Sequence, residues 1–264
     1  VPPCVSLSFD VEEFDLPTEY GVAIDEAEQF RVGHEGLGVV LDMLDGLDAT
    51  ATFFVTGAFA ERYPGTIRRI VGRHELASHG MRHSGFEIAD LRTSRETLER
   101  IGGVQVRGFR MARMAPVNAE AIRAAGYAYN ASENPIWLPG RYNKFFAPRR
   151  PHAREGLVHI PAGTTPLLRW PMFWLAFKNT PMAMTRLATR WSLAWDGETN
   201  LYFHPWEFAA LDRFKVPGFI RRPDGVAMRD RLIGYLRWVM KRAELVTMDS
   251  IARRVLAADA MEGR

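Results

Sequence analysis

The chain of 264 residues contains a single cysteine, Cys4, which excludes an intramolecular disulfide framework and any cysteine-rich zinc site. It has no apolar run of the roughly 18 residues that a membrane-spanning helix requires. It has almost no charge surplus: 34 Lys and Arg stand against 31 Asp and Glu, and a net +3 is too small to argue for nucleic acid. The start, Val1-Pro2-Pro3-Cys4, lacks the basic and apolar regions of a secretory leader, so either a cytoplasmic protein, the simpler expectation, or one whose leader was removed before this numbering begins is expected. Repeats, low-complexity tracts and linkers are also missing, which predicts one domain over 1–264. One lack is local. From Gly156 to Trp195 there is no Asp or Glu. What remains is an ordinary globular composition, 47% hydrophobic and 25% charged, on a length ample for a self-sufficient core.

Short β-type runs alternate with helical stretches. Cys4–Phe9, Ala51–Thr56, Glu75–Ser78, Val106–Arg110, Tyr127–Tyr129, Leu157–Ile160, Leu201–His204 and Leu245–Thr247 read as strands. Helical spacing covers Leu37, Val40, Leu41, Leu44 and Leu47, then Ile67 with Ile70, then 91–102, 117–125 and 226–242. Strands separated by helices imply a parallel sheet with right-handed crossovers. Seven or eight such units favour an α/β fold of the distorted (β/α)7-8 barrel type over an open sheet. Residues 131–156, rich in Pro, Asn and Arg, read as an irregular surface excursion.

The informative residues stand where these strands end. Asp10 and Glu12 close the first, His79 and His83 follow the third, Arg110 ends the fourth, and His204 ends a later one. In parallel barrels the loops at this end hold the active site. Alternation puts Asp10 and Glu12 on one side of the strand, where two carboxylates need a cation beside them. His79 and His83 have the spacing of two imidazoles on one helical turn, able to grip one metal ion. Each has a plainer reading. The histidines could be a surface pair, His204 a buried histidine bonded to backbone, and Arg110 a surface residue.

Together these segments resemble the polysaccharide deacetylase family, with its NodB homology domain, carbohydrate esterase family 4. Leu7-Ser8-Phe9-Asp10-Val11-Glu12 resembles the motif with the catalytic aspartate and a metal carboxylate. Ala51-Thr52-Phe53-Phe54-Val55 resembles the family's second strand, and Glu75–His83 the motif with both metal histidines. Gly108-Phe109-Arg110 resembles the motif whose arginine holds the aspartate, and Leu201–Trp206 the motif of the general-acid histidine. The matches run from residue 7 to about residue 206. Asp10-Val11-Glu12 is closest to the D-V-E subgroup of exopolysaccharide and lipid-linked glycan loci. Two departures matter: Ala112 replaces a proline, which lets Arg113 enter the site, and no acidic partner for His204 is evident.

The resemblance implies a carbohydrate N-deacetylase, a hydrolase removing an N-acetyl group from an amino sugar. One divalent ion, expected to be Zn²⁺, would sit on Glu12, His79 and His83, with Glu13 as the alternative carboxylate. It would polarise the acyl oxygen and acidify a water. Asp10 would be the base, Arg110 its holder, and His204 the acid. Arg113, Trp206 and Trp170 are the expected substrate contacts. The acid-free segment 156–195 reads either as core and covering helix or, with Leu167–Phe177 as an apolar flap, as a face for a polyprenyl-phosphate-linked saccharide at the inner leaflet. Peripheral membrane contact would follow. The basic group Arg141, Lys144, Arg149, Arg150 and Arg154 reads as a solvated loop or a phosphate contact. The rivals are deformylation of a lipid-linked formamido sugar, a ureide hydrolase of the allantoinase-like branch, and a non-catalytic glycan-binding module.

Overall fold

Val5, Leu7, Phe9 and Val11 alternate with Ser6, Ser8 and Asp10 along the first strand, and every one of them is buried. A strand buried on both faces belongs inside a parallel sheet with cover on each side. The computed structural model describes residues 2–138 and 142–262. Its strands are β1 (Cys4–Val11), β2 (Thr52–Val55), β3 (Glu75–Ser78), β4 (Gly108–Phe109), β5 (Tyr129–Asn130), β6 (Trp137–Leu138), β7 (Tyr142–Asn143), β8 (His152–Arg154), β9 (Leu157–His159), β10 (Glu198–Phe203) and β11 (Glu244–Val246). The helices are α1 (Glu26–Leu47), α2 (Gly57–Arg62), α3 (Pro64–Val71), α4 (Asp90–Gly102), α5 (Ala119–Ala124), α6 (Trp174–Asn179), α7 (Met182–Asp196), α8 (Gly218–Arg221), α9 (Gly225–Val239) and α10 (Met248–Glu262).

The main sheet runs β10-β1-β2-β3-β4-β5-β9-β8, with β11 also on β1. All its pairings are parallel except β8 on β9. The sheet curls into a half-barrel of a single α/β domain. Among the described residues no ladder joins β9 to β10, so the expected barrel is not closed by backbone pairing. A side chain spans the seam instead. Asn200 on β10 accepts from the Gly163 amide at 2.9 Å and donates to the Pro161 carbonyl at 2.7 Å, just beyond β9.

The period of two sorts the core into two layers. Val5, Leu7, Phe9 and Val11 pack outward under the helices with Phe53, Val55, Leu37 and Leu41. Cys4, Phe54, Ala77, Tyr129, Val158 and Ile160 line the inside with Met248 and Ile251 of α10. The start of α10 plugs the floor: the Met248 amide donates to Thr52 Oγ1, and the Asp249 amide donates to the half-buried Glu75 carboxylate. Cys4 is buried, as an inert thiol would be.

The helix that matters for the site is α1. Asp25 caps it, accepting from the Ala27 amide at 2.8 Å. Two of its glycines, Gly33 and Gly36, are buried and let it lie flush beneath the strand ends. A methyl on Gly33 would come within 2.8 Å of the Glu12 carbonyl oxygen, and one on Gly36 would overlap the Pro205 carbonyl. The excursion proves less irregular than its composition suggests, because it contains β6, β7 and β8. No described helix is long and apolar enough to cross a membrane.

Candidate active site and metal centre

Asp10 lies within β1, on the inward face, and its neighbour on that face is Ser8. Arg110 reaches both from β4: its Nη1 donates to Asp10 Oδ1 at 2.6 Å and to Ser8 Oγ at 3.0 Å. Its Nε donates to the Ala131 carbonyl, and the guanidinium lies over the Phe54 ring at 4.1 Å. Arg110 is 1% exposed. A charge so buried is tolerable only because a carboxylate, oxygen acceptors and aromatic faces surround it. The result is a carboxylate held in one orientation.

Two residues on, Glu12 faces His79 and His83. His79 Nε2 is 3.0 Å and His83 Nε2 3.1 Å from Glu12 Oε2. Glu13 turns away and accepts from Thr56 Oγ1 at 3.0 Å, so the carboxylate beside the histidines is Glu12. His79 follows β3 directly. The chain then turns through Gly80 at φ +81°, so the expected helical turn is replaced by a loop that a non-glycine residue would strain. It still brings His83 back alongside His79, with the two rings 6.1 Å apart.

The outer nitrogens decide what the inner ones can do. His79 Nδ1 is 2.8 Å from the Arg110 carbonyl oxygen, which only accepts, so Nδ1 carries the proton. His83 Nδ1 lies 2.7 Å from Asp15 Oδ1. Burial pushes the Asp15 carboxyl up, but hydrogen bonds from His83 and Ser84 and the charge of Arg113 hold it below its ordinary value. It is therefore an acceptor too. Both neutral rings then aim a bare Nε2 lone pair at a carboxylate oxygen. Acceptors 3 Å apart repel unless a cation lies among them. A divalent ion fits this donor set, and the carbonyl and carboxylate behind the rings are the supports that metal-ligating histidines need. Without one, protons are drawn in. Burial opposes it, yet Glu12 and Asp15 raise the pKa of His83, and burial of Glu12 is outweighed by the three nearby histidines, which keep it ionised.

His204 follows β10 and completes the rim. It stacks on Trp206 at 4.9 Å and meets Trp174 edge-on at 5.3 Å. Glu207, fully buried, accepts from the His204 backbone amide at 2.8 Å and lies 3.3 Å from its Nδ1. This is the acidic partner that the sequence did not reveal. It sits three residues downstream, in a reciprocal cap at the start of a short 3-10 turn. Burial lowers the pKa of His204, but Glu12 and Glu207 together raise it above the ordinary histidine value. Behind Glu207 lies the buried ammonium of Lys178, 3.6 Å from Oε2.

Asp10, Glu12, His79, His83, His204, Arg113 and Trp206 thus line one cavity of about 90 Å3. Arg113 takes a left-handed conformation at φ 55° and binds Asp15, Glu19 and the His83 carbonyl. Trp206 Nε1 donates to Glu12 Oε1 at 3.3 Å. Trp170 is not in this cavity. It lines an adjoining groove of about 660 Å3, with Leu168, Arg169 and Phe219, and the two share Leu138, Phe173 and Leu175. Of the basic group, Arg141 lies outside the described residues, while Arg149 makes a two-point ion pair with Asp196 that ties it to the fold.

Residues 3–129 match the family described as polysaccharide deacetylase. A protein from Mycobacterium smegmatis, provisionally described as a polysaccharide deacetylase, has a similar structure with TM-score 0.63 and 20% identity, over 98% of this chain and 95% of its own. Puue allantoinase gives TM-score 0.60 and 17% identity, over 95% and 89%. A pseudoenzyme of carbohydrate esterase family 4 from Bacillus anthracis gives 0.50 and 13%, over 93% of this chain and 63% of its own. At such identities the likeness is one of fold, and the fold hosts both active and inactive proteins.

Proposed function

We propose that the chain is a member of the polysaccharide deacetylase family, whose model matches residues 3–129, and that it hydrolyses the N-acetyl group of an amino sugar at the Asp10–His204 site. The observation that carries this reading is the pair of Nε2 lone pairs converging on Glu12 beside a separately clamped Asp10. Glu12, His79 and His83 would hold one divalent cation, with Zn²⁺ as the ion suited to two nitrogens and a carboxylate. Such an ion supplies Lewis acidity to the acyl oxygen and eases deprotonation of a water.

The protein's own groups divide the remaining work. Water adds to the acyl carbon and loses its proton to Asp10. Arg110 occupies Oδ1, so Oδ2 is the oxygen assigned to receive that proton. The carbon–nitrogen bond breaks as His204 donates a proton to the departing amine. Glu207 stabilises the imidazolium and orients the ring. Trp174 and Trp206 shield it from bulk water.

The apolar groove next to the cavity favours a saccharide linked to a polyprenyl phosphate over a bare polymer. Its walls include Leu168, which is 71% exposed, and the acid-free segment puts Arg169 among them without a competing carboxylate. Contact with the inner membrane face follows from that substrate. The complete donor set argues against a non-catalytic module. The test is product analysis with metal-loaded protein on soluble N-acetylated oligosaccharides and on lipid-linked N-acetyl and N-formyl amino sugars. Acetate release, favoured by the lipid, is expected. Formate alone would reassign the enzyme as a deformylase, ureide cleavage as an allantoinase relative, and no product as a binding module.

A further inference from the structure

Glu133, His152 and His159 form a second group whose donor atoms all lie within 4.8 Å of one another. None of them lines the catalytic cavity. His152 and His159 are directly opposed across the antiparallel pair β8–β9, and their rings stack at 5.2 Å with 15° between planes. Glu133 comes from the chain just beyond β5, the other neighbour of β9. The hydrogen bonds leave these groups oddly unsatisfied. His159 is 1% exposed, and neither of its ring nitrogens has a hydrogen-bond partner among the described residues. His152 Nδ1 lies 3.0 Å from the Arg150 carbonyl, which fixes its proton there and leaves Nε2 a bare lone pair, buried and unpartnered. Glu133 Oε2 is unpartnered as well.

The plain alternative is an ion pair between a protonated His159 and Glu133, 3.1 Å apart. That pair would leave His159 Nε2, His152 Nε2 and one carboxylate oxygen buried without partners, a cost of about 1–3 kcal/mol for each in general. A single cation held by one His159 nitrogen would answer His152 Nε2 and the carboxylate at once and replace the His159–Glu133 pair. Ligands about 2.0–2.1 Å from a tetrahedral ion lie about 3.3 Å from each other, close to the observed His159–Glu133 separation.

We propose that Glu133, His152 and His159 bind a second divalent cation of the Zn²⁺ class, with water completing the shell. Two imidazoles and a carboxylate select borderline transition ions over Mg²⁺ or Ca²⁺. The role is structural. Glu133 stands at the start of the excursion, and His152 and His159 stand at its end. A cation there ties the chain beyond β5 to β8 and β9, close in sequence to Leu138, which walls both the cavity and the groove.

The experiment is a metal count on tag-free protein, dialysed after loading with Zn²⁺. Wild type should retain two equivalents. His79→Gln/His83→Gln should retain one, and Glu133→Gln and His152→Gln one each, with folding checked by circular dichroism. Zn²⁺ should raise the melting temperature of His79→Gln/His83→Gln, and adding Glu133→Gln to it should abolish that rise. No retained equivalent in His79→Gln/His83→Gln, or a wild-type count that Glu133→Gln and His152→Gln leave unchanged, overturns the proposal. Neither result bears on the catalytic site, whose own variants are scored separately.

Discussion

Glu207→Gln separates the catalytic from the structural work of the carboxylate behind His204. The amide oxygen can still accept from the His204 backbone amide, now at 2.8 Å from Oε1, so the ring stays in place. Two things change. His204 loses one of the negative neighbours that raise its pKa, so the pKa falls. Lys178, which is fully buried, loses its counter-ion 3.6 Å away and keeps the Ile220 carbonyl and the faces of Trp174 and Trp206. Breaking a buried pair costs about 3–5 kcal/mol. Burial already lowers the pKa of Lys178, so it can escape part of that cost by losing its proton. A loss near the lower bound, about 3 kcal/mol, corresponds to roughly 6–12 °C in melting temperature for a chain of this size. Weakening the general acid should lower kcat about 10²-fold. The acid must be protonated to act, so the alkaline limb of the pH profile should move to lower pH. Glu207→Gln/Lys178→Met removes both charges and should recover most of the stability but none of the activity. A Glu207→Gln enzyme with unchanged kcat and alkaline limb, or a double variant that regains activity, would refute the reasoning.

Three further outcomes are expected. His74 is buried and its pKa is pushed down to about 4, below the ordinary 6.5. The unfolded chain therefore takes up the proton first. This contribution, about 2 kcal/mol after allowance for solvent screening, is full above pH 6.5 and lost as the pH falls towards 4. Melting curves across that window should flatten in His74→Leu; an unchanged slope contradicts the assignment. Gly36→Ala drives a methyl into the Pro205 carbonyl, so melting temperature and kcat should fall together, by at least the 1–3 kcal/mol typical of overpacking. An unaltered Tm would show that α1 does not hold the His204 turn. Leu168→Asp should raise KM about 10-fold or more for a lipid-linked substrate while sparing soluble oligosaccharides, from the about 1.5–3 kcal/mol of a buried leucine. Equal effects on both would remove the groove from substrate binding.

The strand-end residues were legible because a period of two and the direction of parallel strands need no long-range knowledge. Asp10, Glu12, Arg110 and His204 were placed by those rules alone. What escaped was set by contacts rather than by pattern. The spacing of His79 and His83 suggested a helical turn, but Gly80 bends the chain into a loop that serves the same pairing. Glu207 was visible as a carboxylate three residues after His204. Only the short turn shows that its side chain folds back onto the histidine. Asp15 supports His83 across a long stretch of sequence, which no local signal marks. Trp170, expected as a substrate contact, lines the groove beside the cavity rather than the cavity itself. The expected distorted barrel is met as a half-barrel, and the Asn200 bridge across its seam is a polar contact that strand propensity does not encode.

The most direct measurement is acetate release from an N-acetylated amino sugar by protein stripped with chelator and then reconstituted with one equivalent of Zn²⁺ per catalytic site. The account predicts no turnover in the stripped protein and recovery on reconstitution. It predicts no recovery in Asp10→Asn, although that variant should bind the same amount of metal. Undiminished turnover after exhaustive chelation, or a reconstituted Asp10→Asn protein as active as wild type, would contradict the central claim that Glu12, His79 and His83 hold a working cation beside an aspartate base.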